Sequence, residues 1–329
     1  MTKRSWMARL VTAAAVGAVT TTVLAGCSSG DQAAPAQSGD AEMRTVNVAV
    51  LPTSNMAAVY LGEAEGFFAD EGLDLNMTTV GGGAEMIAGL QAGSFDFIVA
   101  GYVPLFAAAA NGLPLAIIAA NDVGGGTPDE EWQALLVGAD STAKTATDLE
   151  GAKIGVNALK GVAEATIRAS LRQQDVDDTT VQFVEIPFSE VPAALANGTV
   201  DAAFGSEPFI TGTLADGGRV IDTPSYNLGA NFPNGAWATS VDITENEADL
   251  VDRFTRAITA SIEFAAENDD AVRAILPTYT ALTPELAEQI RLPIFRSALD
   301  RAQLDTLADL LVEFEVVAKA PDLDQLIQG

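Results

Sequence analysis

The chain has 329 residues, 45 of them acidic and 17 basic, with one cysteine, no histidine and a net charge of −28. So acidic a surface excludes nucleic acid as a partner, because phosphate contacts need a basic face. The lack of histidine excludes Ser-His-Asp and Cys-His nucleophiles, and one cysteine cannot build a His/Cys metal site. Gly124-Gly125-Gly126 lacks the Gly-Lys-Ser/Thr ending of a phosphate-binding loop.

The first nine residues carry Lys3, Arg4 and Arg9 and no acid, and Leu10 to Ala25 is an uncharged run of small and apolar side chains. That is the pattern of a signal peptide. The run is shorter than the roughly 20 residues of a membrane span. It ends in Leu24-Ala25-Gly26-Cys27, the lipobox pattern, so residues 1–26 are expected to be removed and Cys27 to be lipidated. The bland alternative is an ordinary secretory cut nearby, with Cys27 incidental. Losing three cations leaves 14 bases against 45 acids, a net charge of −31. Residues 27–43, mostly Ser, Gly, Ala, Pro, Gln and Asp, read as a flexible tether. About 285 residues then remain, enough for two α/β lobes.

Thr45 to Leu51 alternates and is rich in β-branched residues, which predicts a strand. Pro52-Thr53-Ser54-Asn55 breaks it, and a helix is expected over 57–66. Strands follow at 73–80, 95–100, 115–120 and 134–138, with helices at 84–92 and up to 110 between them. The pattern restarts with strands at 153–157, 181–186, 202–205 and 219–222 and helices at 162–174 and 189–197. From Glu247 onward the pattern is mostly helical, with amphipathic stretches at 250–268, 284–291 and 301–318. Strands alternating with helices across short Gly/Pro-rich turns indicate parallel βαβ units.

Several stretches resemble one family. Tyr60-Leu61-Gly62-Glu63-Ala64-Glu65-Gly66-Phe67-Phe68-Ala69-Asp70-Glu71-Gly72-Leu73-Asp74-Leu75 is similar to the G-F-F-x-x-E-G-L-D-V element of the nitrate/sulfonate/taurine and thiamine-pyrimidine-precursor binding proteins. Gly81-Gly82-Gly83-Ala84-Glu85, Leu90 to Asp96, Asp148 to Val156, Leu195 to Ala203 and Glu207-Pro208-Phe209 match further elements in order. The resemblance implies a type II periplasmic-binding-protein fold: two lobes, each a mainly parallel sheet flanked by helices, joined by a two-crossover hinge. Lobe one would take 44–137 plus 239–329 and lobe two 138–238, with crossovers near Val137-Gly138 and Trp237-Ala238-Thr239. The motifs themselves, rich in glycine and aromatics at helix ends, read as scaffold.

In open α/β sheets, ligands sit outside the carboxyl ends of the strands. The loops there nominate Thr53, Ser54 and Asn55, then Gly82, Gly83 and Ala84, then Gly101, Tyr102 and Asn121 from lobe one. Lobe two offers Lys160, Gly161, Val162, Phe188 and Glu207, with Trp237 at the return crossover. Thr53, Ser54 and Asn55 equally suit helix capping, and Tyr102 and Trp237 equally suit core and hinge packing. Lys160 is equally a solvated surface lysine or an anion partner, and Glu207 favours a donor or a cation on the ligand.

The resemblance implies the extracytoplasmic solute-binding component of an ATP-binding-cassette importer, anchored to the cell membrane by Cys27. It would capture a small anionic or zwitterionic solute and deliver it to permease and ATPase subunits. Alternatives on the same fold are a binder of pyrimidines or aromatic carboxylates and a sensor ectodomain. No catalysis, cofactor or metal is expected, and the protein is expected to be a monomer.

Overall fold

The structure is a computed structural model that describes residues 43–314 and 316–328. The lipobox, Cys27 and the tether lie outside the described residues, apart from Met43. Eleven strands form among the described residues: β1 (Arg44–Val50), β2 (Leu73–Thr79), β3 (Phe97–Gly101), β4 (Leu115–Val123), β5 (Gln133–Val137), β6 (Lys153–Val156), β7 (Gln182–Glu185), β8 (Ala202–Ser206), β9 (Arg219–Asp222), β10 (Pro233–Ser240) and β11 (Ile294–Phe295). They make a six-stranded sheet, β11-β4-β10-β3-β1-β2, and a five-stranded sheet, β7-β6-β8-β5-β9.

Neither sheet is mainly parallel by pairing: two of five strand pairs in the first and two of four in the second are parallel. β1 pairs in parallel with β2 and β3, and β6 with β7 and β8. The strand entering each sheet from the other one runs the opposite way: β5 against β8 and β9, and β10 against β3 and β4. The chain changes sheets within 124–132 and 223–232. Both changes precede the positions expected from sequence, because Gln133–Val137 already pairs in the second sheet and all of Pro233–Ser240 in the first.

Alternation in β1 explains its place. Val46, Val48 and Val50 face one apolar cluster, and Ala49 faces another on the opposite side, so both faces of the first sheet are covered. One cover is the helix Ala248–Glu267, whose buried Leu250, Phe254, Ala257, Ile258, Ser261, Ile262 and Ala265 recur at helical spacing. Phe254 stacks on Phe97 with ring centroids 3.8 Å apart, and burial of each such side chain contributes about 2 kcal/mol. The Gly66-Phe67-Phe68 motif is scaffold. Gly66, at φ 86°, ends the helix Ala57–Glu65 in a left-handed conformation, and Phe68 is fully buried.

Candidate functional site

A cavity of about 160 Å³ lies between the two sheets. Its walls come from the ends of β1, β3, β6 and β8 and the starts of β5 and β10, with the helices that follow β2, β3 and β6. Of the residues nominated from sequence, Thr53, Asn55, Gly83, Ala84, Gly101, Lys160, Gly161, Val162 and Phe188 line it. In a chain with 45 acids, no carboxylate among the described residues lines this cavity, and Lys160 is the only charged one of them that does.

Two helix starts face each other there. The helix Gly83–Gln91 begins after Gly82 and the helix Val162–Gln173 after Gly161, and neither cap has a side chain to bind the first-turn N–H groups. Residues 83, 84, 162 and 163 of those first turns line the cavity. Partial positive charge therefore converges from both sides. The sheets approach closely: a Cβ on Gly101 would stand 3.1 Å from Val162 Cγ2. Lys160 adopts φ 54°, an uncommon conformation for a non-glycine residue, and remains exposed at the rim.

The wall from the first sheet is organised by hydrogen bonds that converge on Asp122. Thr53 Oγ1 donates to Asn55 Oδ1 at 2.7 Å, and Asn55 Nδ2 donates to Asp122 Oδ1 at 3.0 Å. Asn121 Nδ2 donates to Asp122 Oδ1 at 2.7 Å, and Asn234 Nδ2 to Asp122 Oδ2 at 2.7 Å. Burial pushes the Asp122 carboxyl up to about 6, against the pull of these three amide donors. Asn121 thus lies behind the cavity, with Trp237 Nε1 donating to its Oδ1 at 2.9 Å.

The second wall has no such central charge. Gln133 and Ser206 are direct partners across the β5–β8 ladder, so their side chains share a face, and both line the cavity. Ser206 is 1% exposed, and its Oγ has no hydrogen-bond partner. A buried hydroxyl without a partner costs free energy until a ligand supplies one. Asn157 completes the polar lining on this side.

The other nominated residues sit elsewhere. Tyr102 packs edge-on against Phe106 in the first-sheet core, its hydroxyl raised far above the usual tyrosine range by burial and by Asp122. Trp237 is fully buried among Phe254 and its neighbours. Ser54 donates its backbone N–H to Glu207 O at 3.1 Å, tying the two sheets together, and Gly82 stands just behind the lining. Glu207 accepts from Thr211 N and Oγ1 at 3.1 and 3.0 Å and from Arg291 N at 3.3 Å, and burial raises its pKa. It lies in the turn just past β8, where these bonds hold its carboxylate away from the cavity lining, while Ser206, the last residue of β8, lines the cavity. Sequence reading missed Gln133, Asn157, Ser206 and Asn234. The readable signal was strand phase: the inward residue at the end of β8 is the one before the glutamate.

Among the described residues, no group of three His, Cys, Asp or Glu side chains is placed to hold a metal, and no helix is long and apolar enough to cross a membrane.

The chain is similar to a putative aliphatic sulfonates-binding protein of Escherichia coli K12, with 29% identity over 256 residues covering 74% of this chain and 76% of that one. Its fold is similar to the periplasmic nitrate-binding protein of Synechocystis PCC 6803, with TM-score 0.76 and 15% identity, over 87% of this chain and 86% of that one. The alkanesulfonate-binding protein of Xanthomonas axonopodis pv. citri, solved with MOPS bound, gives TM-score 0.72 and 18% identity, over 88% and 99%. The family model described as NMT1/THI5 like matches residues 53–272, two thirds of the sequence, and the chain belongs to that family.

Proposed function

We propose that this chain is the extracytoplasmic solute-binding component of an ATP-binding-cassette importer and takes a small anionic or zwitterionic solute of the sulfonate, taurine or nitrate kind. The observation that carries this reading is the cavity: two helix starts without side-chain caps, one lysine and one unpartnered serine hydroxyl converge where, among the described residues, no carboxylate lines the wall. A volume of about 160 Å³ suits a solute of few non-hydrogen atoms and is small for a drug-sized ligand. The named binding activities of the sulfonate- and nitrate-binding relatives support the same class.

The solute binds without turnover, the two lobes close over it by a hinge at the sheet changes, and a permease with its ATPase receives it. Cys27 carries the lipid that keeps the binder at the membrane. Calorimetry with taurine, alkanesulfonates, nitrate, aminopyrimidines and aromatic carboxylates tests the solute class. Micromolar or tighter binding of a small sulfonate or nitrate supports it, and binding confined to the pyrimidines refutes it. Native mass spectrometry of the complex should show the solute unchanged, and Cys27→Ala should release the protein from the membrane fraction.

A further inference from the structure

Asp122 is buried behind the cavity and has no line to a ligand, yet three side-chain amides converge on it. A carboxylate only accepts, so each amide must turn its NH2 toward Asp122. For Asn55 this leaves Oδ1 facing Thr53, which explains why Thr53 Oγ1 spends its proton on Asn55 at 2.7 Å. Thr53 can then offer a ligand only oxygen lone pairs. For Asn234, the bond from Nδ2 to Asp122 Oδ2 at 2.7 Å likewise leaves the amide oxygen as the atom without a partner in the network. Thr53, Asn55 and Asn234 all line the cavity. One fixed charge therefore sets the polarity of a whole wall.

The geometry points to Asp122 as a positioning residue that makes this wall an acceptor surface, selecting solutes that carry an ammonium group besides their anionic head. The inference rests on the reading of the cavity as a small-anion site, whose head group takes the helix starts and Lys160. An ammonium suits the other wall better than a neutral donor does, because the Asp122 charge lies one side chain behind the lone pairs and is screened little in a dry site. Gly235 permits this approach: a Cβ there would stand 2.8 Å from Asp122 Oδ1.

The test compares matched solutes by calorimetry at pH 7.5: 2-aminoethanesulfonate with ethanesulfonate, 3-aminopropanoate with propanoate, and ethylamine alone. The wild-type protein should prefer the amino member of a pair at least tenfold. Asp122→Asn lets the amides turn either way and should narrow that preference to threefold or less. A merely structural role for Asp122 would weaken both members of a pair by one factor and overturn the proposal. Asn234→Ala should also narrow the preference and gives a second route if Asp122→Asn does not fold. Equal binding of both members by the wild type overturns the acceptor wall while the anion reading stands. Binding of ethylamine without either anion overturns the anion reading while the acceptor wall stands. Failure of every compound overturns both.

Discussion

Gly82-Gly83-Ala84-Glu85 and Gly161-Val162-Ala163-Glu164 begin helices on opposite sides of the cavity, and they are built alike. In each, a glycine caps, and a glutamate three residues on reaches back to the N–H just before the cap. Gly81 N donates to Glu85 Oε2 and Lys160 N to Glu164 Oε2, both at 2.8 Å. The walls behind them differ. The first sheet presents a network in which Asp122 engages Asn55, Asn121 and Asn234, whereas the second presents a serine hydroxyl with no partner. On the function proposed above, the shared device would let either half meet an anion, and the unlike walls would let the two ends of one small solute be told apart. The first wall would be set before a ligand arrives, and the second would be completed by it.

The largest expected effect breaks the approach of the two halves. Gly101→Leu would drive a side chain into Val162, since even a Cβ would stand 3.1 Å away. The first sheet should remain folded while the halves are held apart. Solute affinity should fall at least a hundredfold, and small-angle scattering with solute present should show a larger radius of gyration than the wild type. Tight binding by this variant would show that the cavity works without close approach of Gly101 and Val162.

A second effect separates the carboxylates held by amides and backbone N–H groups, Asp122 and Glu131, from those paired with arginines. Burial raises Asp122 to about 6 from 3.8 and Glu131 to about 7 from 4.5. The folded protein thus holds these protons more tightly than the unfolded chain. The stability they supply is full below about pH 4 and is lost as pH rises through 6 and 7. Asp178, beside Arg172 and Arg168, and Glu71, beside Arg256, are shifted down, so their contribution is lost only as pH falls through values below the usual carboxylate range. Between pH 5 and 8 this pair dominates, and stability of the unliganded protein should fall by about 4 kcal/mol across that window. The double variant Asp122→Asn, Glu131→Gln should flatten the profile in thermal unfolding. An unchanged slope would place the titration elsewhere.

These carboxylates also show where the sequence stopped being readable. β-branched alternation at 45–51 and the glycine-ended helices identified most strands, and the loops following them supplied nine of the lining residues. β10 escaped, because Pro-Asn-Gly-Ala-Trp-Ala-Thr-Ser lacks alternation and carries two strand breakers. It is held centrally by pairing on both sides, with register shifts near Gly235. Missing β10 hid Asn234 and placed the return crossover too late. Asp122 and Glu131 read as two more acids among 45. Only the folded chain distinguishes a carboxylate that three amides surround from one in water. Tyr102 and Trp237 illustrate the opposite error: aromatics beside a cleft in sequence turned inward, where each buries more apolar area.

Ser206→Ala tests the unfinished wall directly. The variant removes a hydroxyl that bonds nothing in the folded protein, so stability should hold or rise slightly, while solute affinity drops about tenfold, the value of one hydrogen bond to an anion. Asn55→Ala, in the finished wall, should lower both, because its amide serves Asp122 and Thr53. Paired melting and calorimetry decide. If Ser206→Ala melted earlier with unchanged affinity, the two walls would not differ in the way proposed.

The smallest effect lies far from the cavity, on the outer side of the same two halves. Arg172, near the end of the helix that starts at Val162, sits over the Phe314 ring at 4.4 Å. Phe314 follows the helix Arg301–Glu313, whose Leu304, Leu307, Ala308 and Leu311 pack on the first sheet. The contact therefore spans the halves without touching the ligand. An exposed cation–π pair contributes about 0.5–1 kcal/mol, which is a factor of two to five in an equilibrium. Phe314→Leu keeps the apolar packing and removes the ring. If the pair belongs to the closed form alone, the variant should speed solute release two- to fivefold in stopped-flow chase experiments and leave the association rate alone. A change in association instead would mean that the pair is already made in the open protein, and the halves would then be joined at Phe314 before any solute binds.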